Sequence, residues 1–174
     1  MFEGGNPIVD RVEFLKSAYN LEKHPEGGAF AEAYTAPFQT PDGRALMGSI
    51  YFLLEGGDVS HFHRIDCDEL WYYHEGCGMR VTMIDAEGAV AHADLGPDPA
   101  AGQRAMVAIP AGAIFAAENL DAGGYSFVSC ATAPQFQYEG FLLIGSDTLR
   151  RLCPERAEAL LRLAYPGRDR RADG

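Results

Sequence analysis

No apolar stretch in this 174-residue chain approaches the roughly 20 residues that span a bilayer, so no membrane helix is expected. The opening MFEGGNPIVDR has neither the basic segment nor the apolar segment of a secretory leader, so a cytoplasmic location is expected. Positive charge is scarce: 14 Lys and Arg face 25 Asp and Glu, for a net charge of −11. That balance repels phosphate and argues against nucleic acid and anionic membrane surfaces as partners. The four cysteines, Cys67, Cys77, Cys130 and Cys153, form no CxxC pair and no zinc-ribbon spacing, and read as reduced thiols. Gly27-Gly28 and Gly56-Gly57 stand outside any GxGxxG or Walker pattern, so they read as turns rather than phosphate loops. Neither an internal repeat nor a linker is visible.

What is present is an ordinary globular composition, 47% apolar and 22% charged, in a chain long enough for one domain with a substantial core. Asn6-Pro7 reads as a cap followed by proline at the first helical position. Ile8, Val12, Leu15 and Tyr19 then fall at helical spacing, which predicts a helix over 7–19. The cluster HPEGG at 24–28 ends it. From 29 to 144, short aromatic and β-branched runs alternate with glycine and proline turns. Strands are predicted at 29–35, 47–54, 58–64, 68–75, 79–85, 89–95, 104–109, 113–118, 124–132 and 139–144. Their spacing is that of an antiparallel sandwich or barrel. Pro154 opens a second predicted helix, with Ala157, Leu160, Leu161 and Ala164 on one face. Residues 1–165 are read as a single domain, and 166–174 as a mobile, solvated tail.

The stretch SHFHRIDCDELWYYHEG at 60–76 carries the candidate chemistry. Alternate residues of a strand share a face, so His61 and His63 are expected to project together, and Glu69, Trp71 and Tyr73 likewise. Two histidines and a carboxylate are a sufficient donor set for a facial iron(II) site, or for zinc, manganese or nickel. The same groups also serve acid–base chemistry, and they occur as hydrogen-bonded members of a packed interior.

Gly57-Asp58-Val59-Ser60-His61-Phe62-His63, then Glu69 and Gly76, resembles the first cupin motif, with five residues between His63 and Glu69 where three or four are usual. Pro110-Ala111-Gly112 and Asn119 resemble the second motif, except that Phe115 stands where a metal-binding histidine is usual. HPEGGAFAEAY at 24–34, SIYFLLE at 49–55, FHR at 62–64, DELW at 68–71, PAG at 110–112 and SCATAPQFQYEGF at 129–141 are together similar to the Cupin_5 (DUF985) family. The resemblance implies an all-β double-stranded β-helix, or cupin jelly-roll barrel, with short flanking N- and C-terminal helices. It also implies a homodimer and a barrel like that of the deoxysugar-nucleotide epimerases.

Three functions remain open on this reading. One is a metal-independent epimerase- or isomerase-like enzyme acting on a sugar or sugar nucleotide. There, His63 is the base, Glu69 orients it, and Tyr73 donates a proton. Trp71 and Phe115 line the ligand, and His24 approaches the mouth. The second is a metal-dependent dioxygenase, isomerase or lyase using His61, His63 and Glu69. The third is a non-catalytic protein that binds a small molecule, such as a carbohydrate, in a preformed aromatic cavity.

Overall fold

The computed structural model describes residues 7–171. Helix α1 (Pro7–Tyr19) leads into a two-residue strand β1 (Glu22–Lys23). There follow β2 (Ala29–Thr35), β3 (Gly48–Glu55), β4 (Val59–Arg64), β5 (Asp68–Gly76), β6 (Met79–Ile84), β7 (Val90–Leu95), β8 (Met106–Ile109), β9 (Ile114–Asn119) and β10 (Tyr125–Ala133). A short β11 (Leu142–Leu143), two helices α2 (Ser146–Leu152) and α3 (Ala157–Leu160), and β12 (Arg170–Arg171) complete the chain. No described helix is long and apolar enough to cross a membrane.

The strands form two six-stranded antiparallel sheets, ordered β1-β2-β3-β10-β5-β8 and β12-β11-β4-β9-β6-β7. Alternation along each strand sorts the side chains into layers. Phe52, Leu54, Trp71, Val128 and Cys130 of the first sheet meet Met79, Val81, Leu95, Phe115 and Ala117 of the second in one buried cluster. The outward residues of the first sheet, Leu53 and Phe127, pack under Val12 and Leu15 of α1. Those of the second, Phe62, Ile84, Ile114 and Ala116, pack under Leu149, Leu160 and Leu163 of the C-terminal helices. Each sheet therefore has one face in a shared core and the other under a helix, which is why its strands are apolar on both faces.

The ten predicted strands all form, although 139–144 shrinks to β11 behind a 3-10 turn at Tyr138–Gly140. The first helix spans the predicted residues, but its buried stripe is only Val12 and Leu15; Asn6, the expected cap, lies outside the described residues. The helix predicted from Pro154 is a single α turn followed by 3-10 geometry at Leu161–Leu163. Helix α2 is an addition. Its start, Gly145, brings no side chain to cap it.

The cap arrives from the segment after Pro166, which sequence alone marks as a solvated tail. Asp169 accepts the Gly145 N–H at 2.8 Å and the Thr148 hydroxyl at 2.8 Å, and Arg170–Arg171 pair with β11. A carboxylate at a helix start satisfies donors that have no partner within the helix and opposes the helix dipole. Asp169→Ala is therefore expected to cost about 1 kcal/mol, or roughly 2–4 °C in a thermal melt of a chain this size. An unchanged melting midpoint would show that the docked tail contributes nothing to the fold.

Candidate functional site

One cavity of about 90 Å³ opens between the two sheets. Its walls are largely aromatic, with Phe30, Phe52, Trp71, Phe136, Tyr138 and Phe141 among the lining residues. Its polar groups include His24, Glu26, His63 and Glu69, with Ser49, Thr132 and Gln135 in the walls and Glu32 and Thr35 at the exposed rim. No described lysine or arginine lines it.

A β-bulge decides which histidine enters. In β4, Ser60 pairs with Ala117 of β9, whereas His63 pairs with Phe115, so three steps on one strand match two on the other. The additional residue breaks the alternation. Ser60 and His63 both face the cavity side, while Phe62 faces the C-terminal helices. His61, expected beside His63, instead packs edge-on to Tyr165, with its ring centroid 6.1 Å away. It is not among the residues lining the cavity.

The partner that His63 meets is Glu26, from the turn between β1 and β2. Gly27 and Gly28 adopt positive φ, and an added Cβ on Gly27 would lie 2.1 Å from the Val59 carbonyl oxygen. Only glycine permits that approach. The His61 N–H then donates to the Glu26 carbonyl at 2.8 Å, fixing the turn to β4. The Glu26 side chain enters the core, where Ser60 Oγ donates to Oε1 at 2.7 Å and Oε2 lies 3.0 Å from His63 Nε2.

These contacts locate the protons. His63 Nδ1 lies 2.7 Å from the His61 carbonyl oxygen, which only accepts, so Nδ1 carries hydrogen. Nε2 and Glu26 Oε2 therefore share one further proton. Burial favours the uncharged arrangement, pushing the Glu26 carboxyl well above its ordinary range and drawing His63 down to about 3. His24, whose Nδ1 lies 3.5 Å from the same carboxyl, is drawn down to about 4 by burial.

Glu69 stands on β5, in the facing sheet, opposite Thr132 of β10 and Ile109 of β8. Burial raises its carboxyl to about 7, against the opposing influence of the Trp71 and Cys130 side chains, which favour the ionised form. It is thus a buried acid poised at neutrality. Charge on Glu69 also helps to keep Glu26 protonated, after the larger effect of burial.

Of the residues singled out in the sequence, His24, His63, Glu69 and Trp71 come together at the cavity. Tyr73 does not line it; its hydroxyl donates to the Gly76 carbonyl at 2.8 Å. Phe115 sits fully buried behind the site, its ring centroid 4.0 Å from that of His63. In the sequence Glu26 reads only as part of a turn; the signal for its role is a carboxylate set directly before two glycines. A metal does not fit the donors present. Both His63 nitrogens are engaged, His61 is turned away, and no described group of three or more His, Cys, Asp or Glu residues is arranged to hold an ion.

A family model described as Cupin superfamily (DUF985) matches residues 13–144. Among solved structures, a protein of Shewanella oneidensis is 36% identical, with 89% of this chain and 98% of that one covered and a TM-score of 0.84. A hypothetical protein from Leishmania major is 29% identical over 88% and 98% of the two chains, with a TM-score of 0.79. A variant of Bacillus subtilis oxalate decarboxylase is 20% identical, over 89% of this chain and 39% of that one, with a TM-score of 0.55, a likeness of fold alone. No curated protein matches.

The raised Glu69 carboxyl links ionisation to stability. Below the ordinary value of 4.5 it is protonated in folded and unfolded chains alike, so the shift contributes its full stabilisation. Between 4.5 and about 7 only the unfolded chain ionises, so that stabilisation is lost as pH rises. The full span corresponds to about 3 kcal/mol. Glu69→Gln, relative to the parent, is expected to gain stability of that order between pH 4 and pH 8 in urea unfolding. A variant-minus-parent difference that stays flat with pH would show that Glu69 titrates normally.

Proposed function

The chain belongs to the DUF985 family of the cupin superfamily, and from that premise we propose a metal-independent proton-transfer enzyme of the epimerase or isomerase type, acting on a small molecule held between the two sheets. The observation that carries this reading is the placement of two proton-holding groups on facing sheets. Glu69 stands on β5, and the His63–Glu26 pair stands on β4 and the turn beside it.

A two-sided site of this kind suits exchange at a carbon next to a carbonyl. Ionised Glu69 takes the proton from that carbon. The C–H electron pair becomes the enolate double bond, and the carbonyl pair moves to oxygen. The proton shared by Glu26 Oε2 and His63 Nε2 is then delivered to the opposite face, inverting the centre. Glu69 ends protonated and the pair ends one proton short, so exchange with water resets both groups. Dry walls support this chemistry, because they hold Glu69 near neutrality, where a general base works best at physiological pH.

Solvent-exchange NMR tests the reading. In D₂O the protein is expected to incorporate deuterium next to the carbonyl of its substrate, with kcat/KM rising as pH passes through about 7 and Glu69 ionises. Glu69→Gln and His63→Gln are each expected to slow exchange at least about a hundredfold. Tyr73→Phe is expected to leave it unchanged, because that hydroxyl is occupied by the Gly76 carbonyl. Saturable ligand binding without exchange would sink the catalytic reading and leave a binding protein. Exchange at the parental rate in both site variants would move the chemistry elsewhere.

A further inference from the structure

One buried donor in the cavity is unused. Trp71 is 1% exposed and lines the cavity, yet its Nε1–H has no hydrogen-bond partner among the described residues. A buried N–H without an acceptor carries the full cost of leaving water. The indole lies close enough to Glu69 to favour that carboxylate, but without hydrogen-bonding geometry. Neighbouring polar groups are engaged: Glu26 meets Ser60 and His63, and Thr132 Oγ1 accepts the Phe136 N–H at 2.8 Å. The cavity thus presents an indole N–H that meets no described acceptor in hydrogen-bonding geometry, beside a carboxyl whose charge only the Trp71 and Cys130 side chains support.

That pairing describes a ligand. It needs an acceptor for Trp71 and, next to it, a donor for Glu69. A carbonyl oxygen with a hydroxyl on the adjacent carbon supplies both. Charge narrows the class further. With Glu26 and Glu69 inside, no described lysine or arginine in the walls, and a net charge of −11, the site offers an anion no counter-charge. Nucleoside diphosphates and carboxylates are therefore disfavoured. At about 90 Å³ the cavity is well below the roughly 300–1,000 Å³ of drug-sized ligand sites, which suits it to a small molecule.

We propose that the site takes a small, uncharged α-hydroxycarbonyl compound, the size of a triose or tetrose, whose carbonyl oxygen accepts the Trp71 Nε1–H and whose hydroxyl donates to Glu69. This deepens the proton-transfer reading and rests on it for the chemistry after binding. The carbon bearing that hydroxyl is then the one whose proton Glu69 removes, and the indole N–H faces the carbonyl oxygen on which charge develops.

The chain carries its own probe, because Trp71 is its single tryptophan. Emission is titrated at pH 8 with dihydroxyacetone and erythrulose as uncharged hydroxycarbonyls, glycerol as the polyol without a carbonyl, lactate as the hydroxy acid, and UDP-glucose as the sugar nucleotide. Saturable changes are expected with the first two, at least tenfold tighter than with any of the others. Calorimetry on Trp71→Phe should find those two weakened at least about fivefold, the loss of one hydrogen bond. Circular dichroism separates this from misfolding, and Glu69→Gln, which keeps the reporter, provides a second test of the pairing. Equal or tighter binding of lactate or UDP-glucose overturns the proposal, as does the absence of saturation by either hydroxycarbonyl. Binding of dihydroxyacetone or erythrulose without deuterium exchange leaves this ligand class standing and removes only the catalytic reading.

Discussion

The cost of taking charge out of water governs this molecule. Two carboxyls and two imidazoles lie between sheets whose facing surfaces are built from Phe52, Trp71, Val128, Phe115 and their neighbours. Ionised groups in such a place would be strongly disfavoured, and each of the four has settled the matter locally. Glu26 and His63 hold a proton between them. His24 sits uncharged against the same carboxyl. Glu69, with only the Trp71 and Cys130 side chains to support its charge, ends near neutrality. A core that accommodates four titratable groups without a fixed ion has protons to move, and the proposed chemistry grows from that.

The arrangement depends on two backbone irregularities more than on any side chain. The bulge in β4 puts Ser60 and His63 on one side despite their odd separation in sequence. The turn at Gly27 approaches the Val59 carbonyl so closely that no other residue fits, and this brings the Glu26 carboxyl to the two groups the bulge has exposed. Each irregularity needs the other. Without the bulge, Ser60 and His63 would point to opposite faces. Without the turn, His63 Nε2 would have no partner in the core.

These two irregularities set how far the sequence can be read. Strand positions are legible because alternation and glycine–proline turns are local signals, and all ten predicted strands form. Glu69 and Trp71 follow from regular alternation along β5. His61 does not, because a bulge leaves no mark in composition or period; two-residue spacing wrongly promises a shared face. Glu26 escapes for the same reason in reverse. Its role is set by a close approach between chain segments more than 30 residues apart, and only the paired glycines hint at it. The C-terminal segment is illegible in the same way. Arg170 and Arg171 have nothing to bury, and the tail docks through Asp169, whose partners lie at the start of α2.

Phe115 is the residue of β9 that pairs with His63 beyond the bulge. The cupin motif usually carries a metal-binding histidine at that position. Here a phenyl ring, fully buried, packs against the His63 imidazole at 4.0 Å between centroids and cannot donate to an ion. Its effect is positive as well as subtractive. An apolar ring against one face of His63 keeps water from that face, while Nδ1 meets the His61 carbonyl and Nε2 meets Glu26. A histidine with both nitrogens committed and one face sealed is poorly suited to an incoming cation. It is well suited to holding one proton in a defined place. The same substitution that removes a ligand from the metal set therefore helps to build the proton-holding pair that faces Glu69 across the cavity.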